Sequence, residues 1–245
     1  PSTSTMITPV TTIMAESNLT KEQVVATLGL PAGMDPLTFS SFDTTLTDAE
    51  KTTALAVEKA AQKVMSIVST FATAAESSGA SSAMAFKVAM TAVVESVKDA
   101  TTAYEAAVTA STTPVVLAFT DAQVDAVKLE MDTQITAAIA GTDGYTAGDM
   151  TTAMESVFDT QVSNNVIALK NVVGKIEAIT SSDLSASKDI FALTASLVDQ
   201  VKTATDVIKT AQDDGNALVL QSIAFTSDAA ITSSIANPGP TDMAL

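Results

Sequence analysis

The sequence predicts an all-α fold: an antiparallel bundle of about five long Ala-rich helices with a short two-helix N-terminal segment. Three observations carry this. Apolar residues recur in alternating steps of four and three over stretches of roughly 20–32 residues, which traces one face of a helix. Hydrophobic residues make up 47% of the 245-residue chain but aromatics only 4%, so the core must come from Ala, Val, Ile, Leu and Met. That set suits closely packed helices better than stacked sheets. Short breaks of Ser, Gly, Asp and Pro separate the periodic stretches, and short connections make neighbouring helices antiparallel.

Residues 1–47 form the N-terminal segment: an extended Ser/Thr-rich start, two short helices and a loop. Thr8 is placed to cap the first helix, Pro9 fits its first helical position, and Asn18 ends it. Thr20 and Gln23 have the spacing of a capping box for the second helix. Val24, Val25 and Leu28 supply its apolar face, and Gly29 stops it. Residues 30–47 read as a loop, broken by Pro31, Gly33 and Pro36, with apolar pegs at Leu37, Phe39 and Phe42.

Residues 48–216 read as the long-helix bundle. Asp48 opens the first long helix, with Val57, Val64, Val68, Phe71 and Ala75 on one face and a break at Ser77, Ser78 and Gly79. The second carries Phe86, Met90, Val93, Val97, Ala100, Tyr104 and Ala107 and ends between Ser111 and Pro114. The third is capped at Thr120, with Val124, Val127, Met131, Ile135 and Ala138 inward, and closes at the Gly141 to Gly144 turn. The fourth is expected over 147–179, with Phe158, Val162, Asn165, Leu169, Val172, Ile176 and Ile179 as its stripe. The fifth follows a new cap at Asp183 and carries Ile190, Thr194, Leu197, Val201, Ala204, Ile208 and Ala211. Residues 217–225 form a continuous apolar run that fits a buried helix or a strand, and 237–245 read as a linker or tail.

The composition limits the chemistry. The 12 basic residues are all Lys, against 28 acids, for a net charge of −16. Such a surface repels nucleic acid, and the absence of Arg removes bidentate phosphate recognition, so no nucleic-acid partner is expected. The charge favours solubility and can attract divalent cations weakly. With no Cys and no His, disulfides, thiolate or imidazole metal sites, Cys nucleophiles and His acid–base pairs are excluded. No run of 18 apolar residues occurs, so no membrane span is expected. Pro1 in first position suggests a processed product or a piece of something longer.

The motifs that remain are weak. Ser185 and Lys188 match S-x-x-K, but the motifs that accompany it in penicillin-recognising enzymes are missing, and a capped helix start explains it. The turns at Asp143-Gly144 and Asp213-Asp214-Gly215-Asn216 lack the alternating ligands and closing Glu of a calcium-binding loop. No catalytic, cofactor-binding or metal-ligating residues are therefore assigned. Asn165 lies on an apolar stripe, where it either fixes register or oligomer state or sits at the edge, half in water. Met90, Met131 and Met154 fall on core stripes and read as packing. The outer helix faces are rich in Thr, Ser and Ala, which favours close contact with another protein surface.

One stretch has the look of a signature. Thr8, Pro9, Val10, Thr11 and Thr12 form a T-P-x-T-T phrase; Leu28, Gly29, Leu30 and Pro31 form L-G-L-P. Asp35, Pro36, Leu37 and Phe39 follow, and then the Ala-rich residues 54–64. This order resembles a segment of large secreted or cell-surface, adhesin-like proteins of aquatic bacteria, over about the first third of the chain. Those proteins often carry calcium-binding β-repeats, of which none is visible here.

The resemblance implies an extracellular or cell-surface location. The expected function is that of a non-enzymatic structural protein that self-associates, as a homo-oligomer or polymer, into a surface filament, sheath or matrix. The alternative is a helical binding module of a bacterial surface adhesin.

Overall fold

The computed structural model describes residues 7–40 and 46–178. The fifth expected helix and its stripe, Ser185 and Lys188, the 213–216 turn, Phe42, Ile179, the 217–225 run and the 237–245 tail lie outside the described residues. Among those described there are six helices and no strand: α1 (Pro9–Ser17), α2 (Lys21–Thr27), α3 (Asp48–Ser77), α4 (Ser82–Thr109), α5 (Asp121–Ala140) and α6 (Thr152–Ala178).

The four long helices close a ring. α3 packs on α4 and α6, and α5 packs on the same two. Contacts between the helices give the directions. Lys63 of α3 meets Glu177 near the end of α6, while Gly79, just after α3, faces Met154 near the start of α6. Lys170 of α6 meets Asp125 of α5, and Thr136 meets Glu155. α6 therefore runs antiparallel to both α3 and α5, as short connections require.

The apolar stripes of α3 and α5 are buried at every position expected from their spacing, and so is that of α6 from Phe158 to Ile176. Phe71, Phe158, Met131, Ile135 and Leu169 are fully enclosed. Each such side chain contributes about 2–3 kcal/mol of burial. α4 differs. Its buried residues are Ala85, Val88, Ala89, Met90, Ala92, Val93, Val94, Val97 and Thr101, so Met90, Val93 and Val97 of the expected stripe lie inward, whereas Ala100, Tyr104 and Ala107 are partly buried and Phe86 is 50% exposed. The reason is that α4 contacts α1, α2, α3 and α5, so its small residues face inward to allow close approach and the large Phe86 ring is left at the rim. α6 also begins later than residue 147. Gly148 takes φ +89°, Asp149 N–H bonds the Thr146 carbonyl, and the Thr151 hydroxyl caps the helix through Met154 N–H.

The N-terminal segment belongs to the same core. Val10, Ile13, Val24, Val25, Leu28 and Leu30 join the long-helix residues in one hydrophobic cluster. Leu37 and Phe39 are partly buried, Phe39 against that cluster. α1 lies across α3 and α4, and α2 lies on α4.

Candidate interaction surface

The signature phrases turn out to be turn and capping devices. In T-P-x-T-T, the Thr8 hydroxyl accepts from Thr11 N–H at 3.2 Å and the Thr11 hydroxyl accepts from Thr8 N–H at 2.8 Å, a reciprocal cap with Pro9 at the first helical position. In L-G-L-P, Leu30 N–H bonds the Val25 carbonyl at 2.9 Å and Gly29 N–H bonds that of Ala26 at 3.2 Å. This double closure needs a left-handed residue, which Gly29 supplies at φ +64°. Asp35 accepts Leu37 N–H at 3.0 Å and pairs with Lys21 at 3.1 Å. Those two partners, the backbone N–H first, hold the Asp35 carboxyl below its usual range.

This folded segment is fastened to α4. The Thr27 and Thr101 hydroxyls share a buried hydrogen bond of 2.8 Å, Gln23 donates to Glu105 at 2.8 Å, and Leu117 N–H bonds the Thr27 carbonyl at 2.7 Å. The last bond lays the extended connection between α4 and α5 beside α2.

Two of the surface concavities adjoin α4. An open groove of about 420 Å³ runs between α4 and α5, with Ala100, Ala103, Leu117 and Ala126 in its walls. Val115 and Leu129 also line it, and they are 73% and 68% exposed. A smaller cleft of about 280 Å³ lies where α1 crosses α4, with Phe86 on its edge.

The interior holds polar groups. Gln161 and Asn165, one turn apart on α6, are fully buried, and no side-chain atom of either amide has a hydrogen-bond partner. Asn165 thus sits inside and not at a wet edge. Asp132 of α5 bonds Lys128 at 2.7 Å through one oxygen, while the other is buried without a partner. Burial raises the Asp132 pKa above its ordinary value, against the opposing pull of Lys128. Tyr145 donates to Gln134 at 3.1 Å, and burial raises its pKa.

The turn after α5 is met by a lysine. Asp143 and Gly144 form a left-handed turn, and the Lys87 ammonium bonds the Gly144 carbonyl at 2.6 Å while lying 4.4 Å from the centre of the Tyr145 ring. Among the described residues no group of three or more carboxylates is gathered as a metal cage. Met90 and Met131 are buried and Met154 packs against the core, so all three act in packing. Sequence reading had no sign of the α4–α5 groove or of the α1–α4 cleft, because both depend on which faces neighbouring helices leave uncovered.

Fold and surface together define an all-α antiparallel helical bundle, flanked by a capped two-helix segment and carrying an open apolar groove. Comparison with protein-family models, with curated proteins and with solved structures finds no match. Among the described residues no helix is long and apolar enough to cross a membrane.

Proposed function

We propose that the chain is a non-enzymatic structural protein of the cell exterior that self-associates into a surface filament, sheath or matrix. The observation that carries this reading is the α4–α5 groove, where Val115 and Leu129 are left in water beside small-residue walls. Leu129 alone would gain about 1–2 kcal/mol from full burial, and Ala-lined walls let another backbone approach closely. The extracellular setting is supported by the resemblance of the Thr8–Thr12 and Leu28–Pro31 phrases to adhesin-like proteins. The strong negative charge also fits a surface that takes divalent cations weakly between copies.

A second reading, a helical binding module of a surface adhesin, is favoured by the α1–α4 cleft, which mixes an exposed aromatic ring with carboxylates, hydroxyls and the Lys87 ammonium. The two readings separate on one experiment. Light scattering after size exclusion should give the chain a mass well above its 25.0 kDa. Leu129→Glu, at an exposed position, should bring it to the monomer with unchanged helicity. A wild-type monomer would reject self-association and leave the binding module.

A further inference from the structure

The turn between α1 and α2 carries an acceptor pattern for N-linked sugar. Asn18-Leu19-Thr20 is Asn, a residue other than Pro, and then Thr. Of the six Asn in the chain, Asn18 alone has Ser or Thr two places on. Glu16 stands two places before it. The run Glu16-Ser17-Asn18-Leu19-Thr20 therefore also meets the longer pattern of bacterial oligosaccharyltransferases, which read an acid at that place. Acids are only 28 of 245 residues, so chance alone rarely adds one there. The fold leaves outside the three residues such an enzyme reads. Glu16, Asn18 and Thr20 are exposed, whereas Ser17 is buried and Leu19 packs against the core, so the turn is anchored by the two positions the pattern leaves open. Asn18 caps α1 at φ +57°, a left-handed position that Asn tolerates. Among the described residues its side-chain amide has no hydrogen-bond partner, and Glu16 has no ion pair. The Thr20 oxygen accepts Gln23 N–H at 3.2 Å to cap α2, which leaves the Thr20 O–H free to donate.

We propose that Asn18 is the acceptor of an N-linked glycan, transferred from a lipid-pyrophosphate-linked oligosaccharide by an enzyme of the bacterial oligosaccharyltransferase class. In the transfer, Asn18 Nδ2 bonds to C1 of the first sugar and gives up one proton. The bond from C1 to the pyrophosphate oxygen breaks, and the lipid pyrophosphate leaves with the electron pair. A glycan here displaces no contact of the fold, because the Asn18 amide makes none. It adds hydrated bulk at the end of α1, beside the α1–α4 cleft that Glu16 borders. The site rests on the exterior location proposed above, where an exported chain meets such a transferase. It is independent of self-association through the α4–α5 groove.

The test is a transfer reaction in vitro. The full chain is mixed with a purified bacterial oligosaccharyltransferase and its lipid-pyrophosphate oligosaccharide, once folded and once diluted from denaturant into the reaction. Intact mass and peptide mapping read the product. The expected result is one added glycan mass, on the peptide that carries Asn18, with unchanged helicity. Glu16→Gln, at an exposed position, should slow transfer about tenfold through loss of one charge-assisted contact. Thr20→Ser keeps both the hydroxyl and the cap and should still be modified, whereas Thr20→Ala should not. Five results would each overturn the proposal: no added mass from either starting form, a glycan that survives Asn18→Gln, modification of Thr20→Ala, an unchanged rate in Glu16→Gln, or loss of helicity on modification. Fractionation of the native cells keeps the two readings apart. Transfer in vitro, with the native chain bare and inside the cell, would contradict the exterior location and uphold the acceptor.

Discussion

The Lys63 ammonium lies 2.9 Å from the Glu177 carboxylate and 3.0 Å from the Ala118 carbonyl, so one side chain of α3 ties α6 and the α4–α5 connection together. Lys63 is buried, its side chain only 7% exposed, whereas Glu177 is 56% exposed. The two partners are therefore unequal. Lys63→Met keeps the apolar stem but strands the Ala118 carbonyl, and chemical denaturation should show a loss of about 2 kcal/mol. Glu177→Gln should lose about 0.5 kcal/mol, as expected for a solvated pair. Equal losses would contradict this asymmetry.

Two carboxylates respond to pH in opposite directions. Burial pushes the Glu177 pKa up, but hydrogen bonding and charge from Lys63, then Lys59, outweigh it and hold it below the ordinary 4.5. Its contribution to stability is present above 4.5 and is lost as pH falls through the lower folded value. The Asp132 pKa is raised above 3.8, chiefly by burial. Its ionisation costs stability above the folded value, and that cost is relieved as pH falls toward 3.8. Denaturation at pH 7 and pH 4 should therefore show Asp132→Asn losing ground to the wild type on acidification. Glu177→Gln should gain ground once the pH passes below 4.5. The reverse order would contradict the assigned environments.

The buried amides of α6 carry no partners, so they cost stability instead of adding it. Asn165→Leu removes an unsatisfied amide from a fully enclosed site and should stabilise the fold by about 1–2 kcal/mol. If Asn165 fixes register, the variant will also lose a single defined set of amide resonances. Destabilisation of similar size would mean that Asn165 is satisfied in solution.

Glycine at the end of α5 is held by space as well as by angle. Gly141 has φ +73°, and a Cβ there would lie 2.5 Å from the Ala147 backbone nitrogen. Gly144 has φ +82° but open space around it. Gly144→Ala should cost about 1–2 kcal/mol for the left-handed backbone alone. Gly141→Ala should cost clearly more, seen as a larger drop in melting temperature. The α4 terminus offers the converse. Ser111 takes φ +55° where glycine is usual, so Ser111→Gly should stabilise by about 0.5–1 kcal/mol.

These sites differ in how far the sequence discloses them. The caps at Thr8 and Thr20 were legible because a cap is a contact between residues three apart. The stripes of α3, α5 and α6 were legible because one periodicity fixes one inward face. Phe86 was misplaced because four neighbours crowd α4 and select its alanines for the interior. The Lys63–Glu177 pair was not legible, since its partners are separated by 114 residues. The exposure of Val115 and Leu129 was hidden for a similar reason: an apolar residue announces a preference for burial, not whether a neighbour supplies it.

The most direct test of the proposed structural role is negative-stain electron microscopy of the purified chain, with and without millimolar calcium. The account predicts regular filaments or sheets, lost in Leu129→Glu. Dispersed particles of monomer size in both conditions would contradict it.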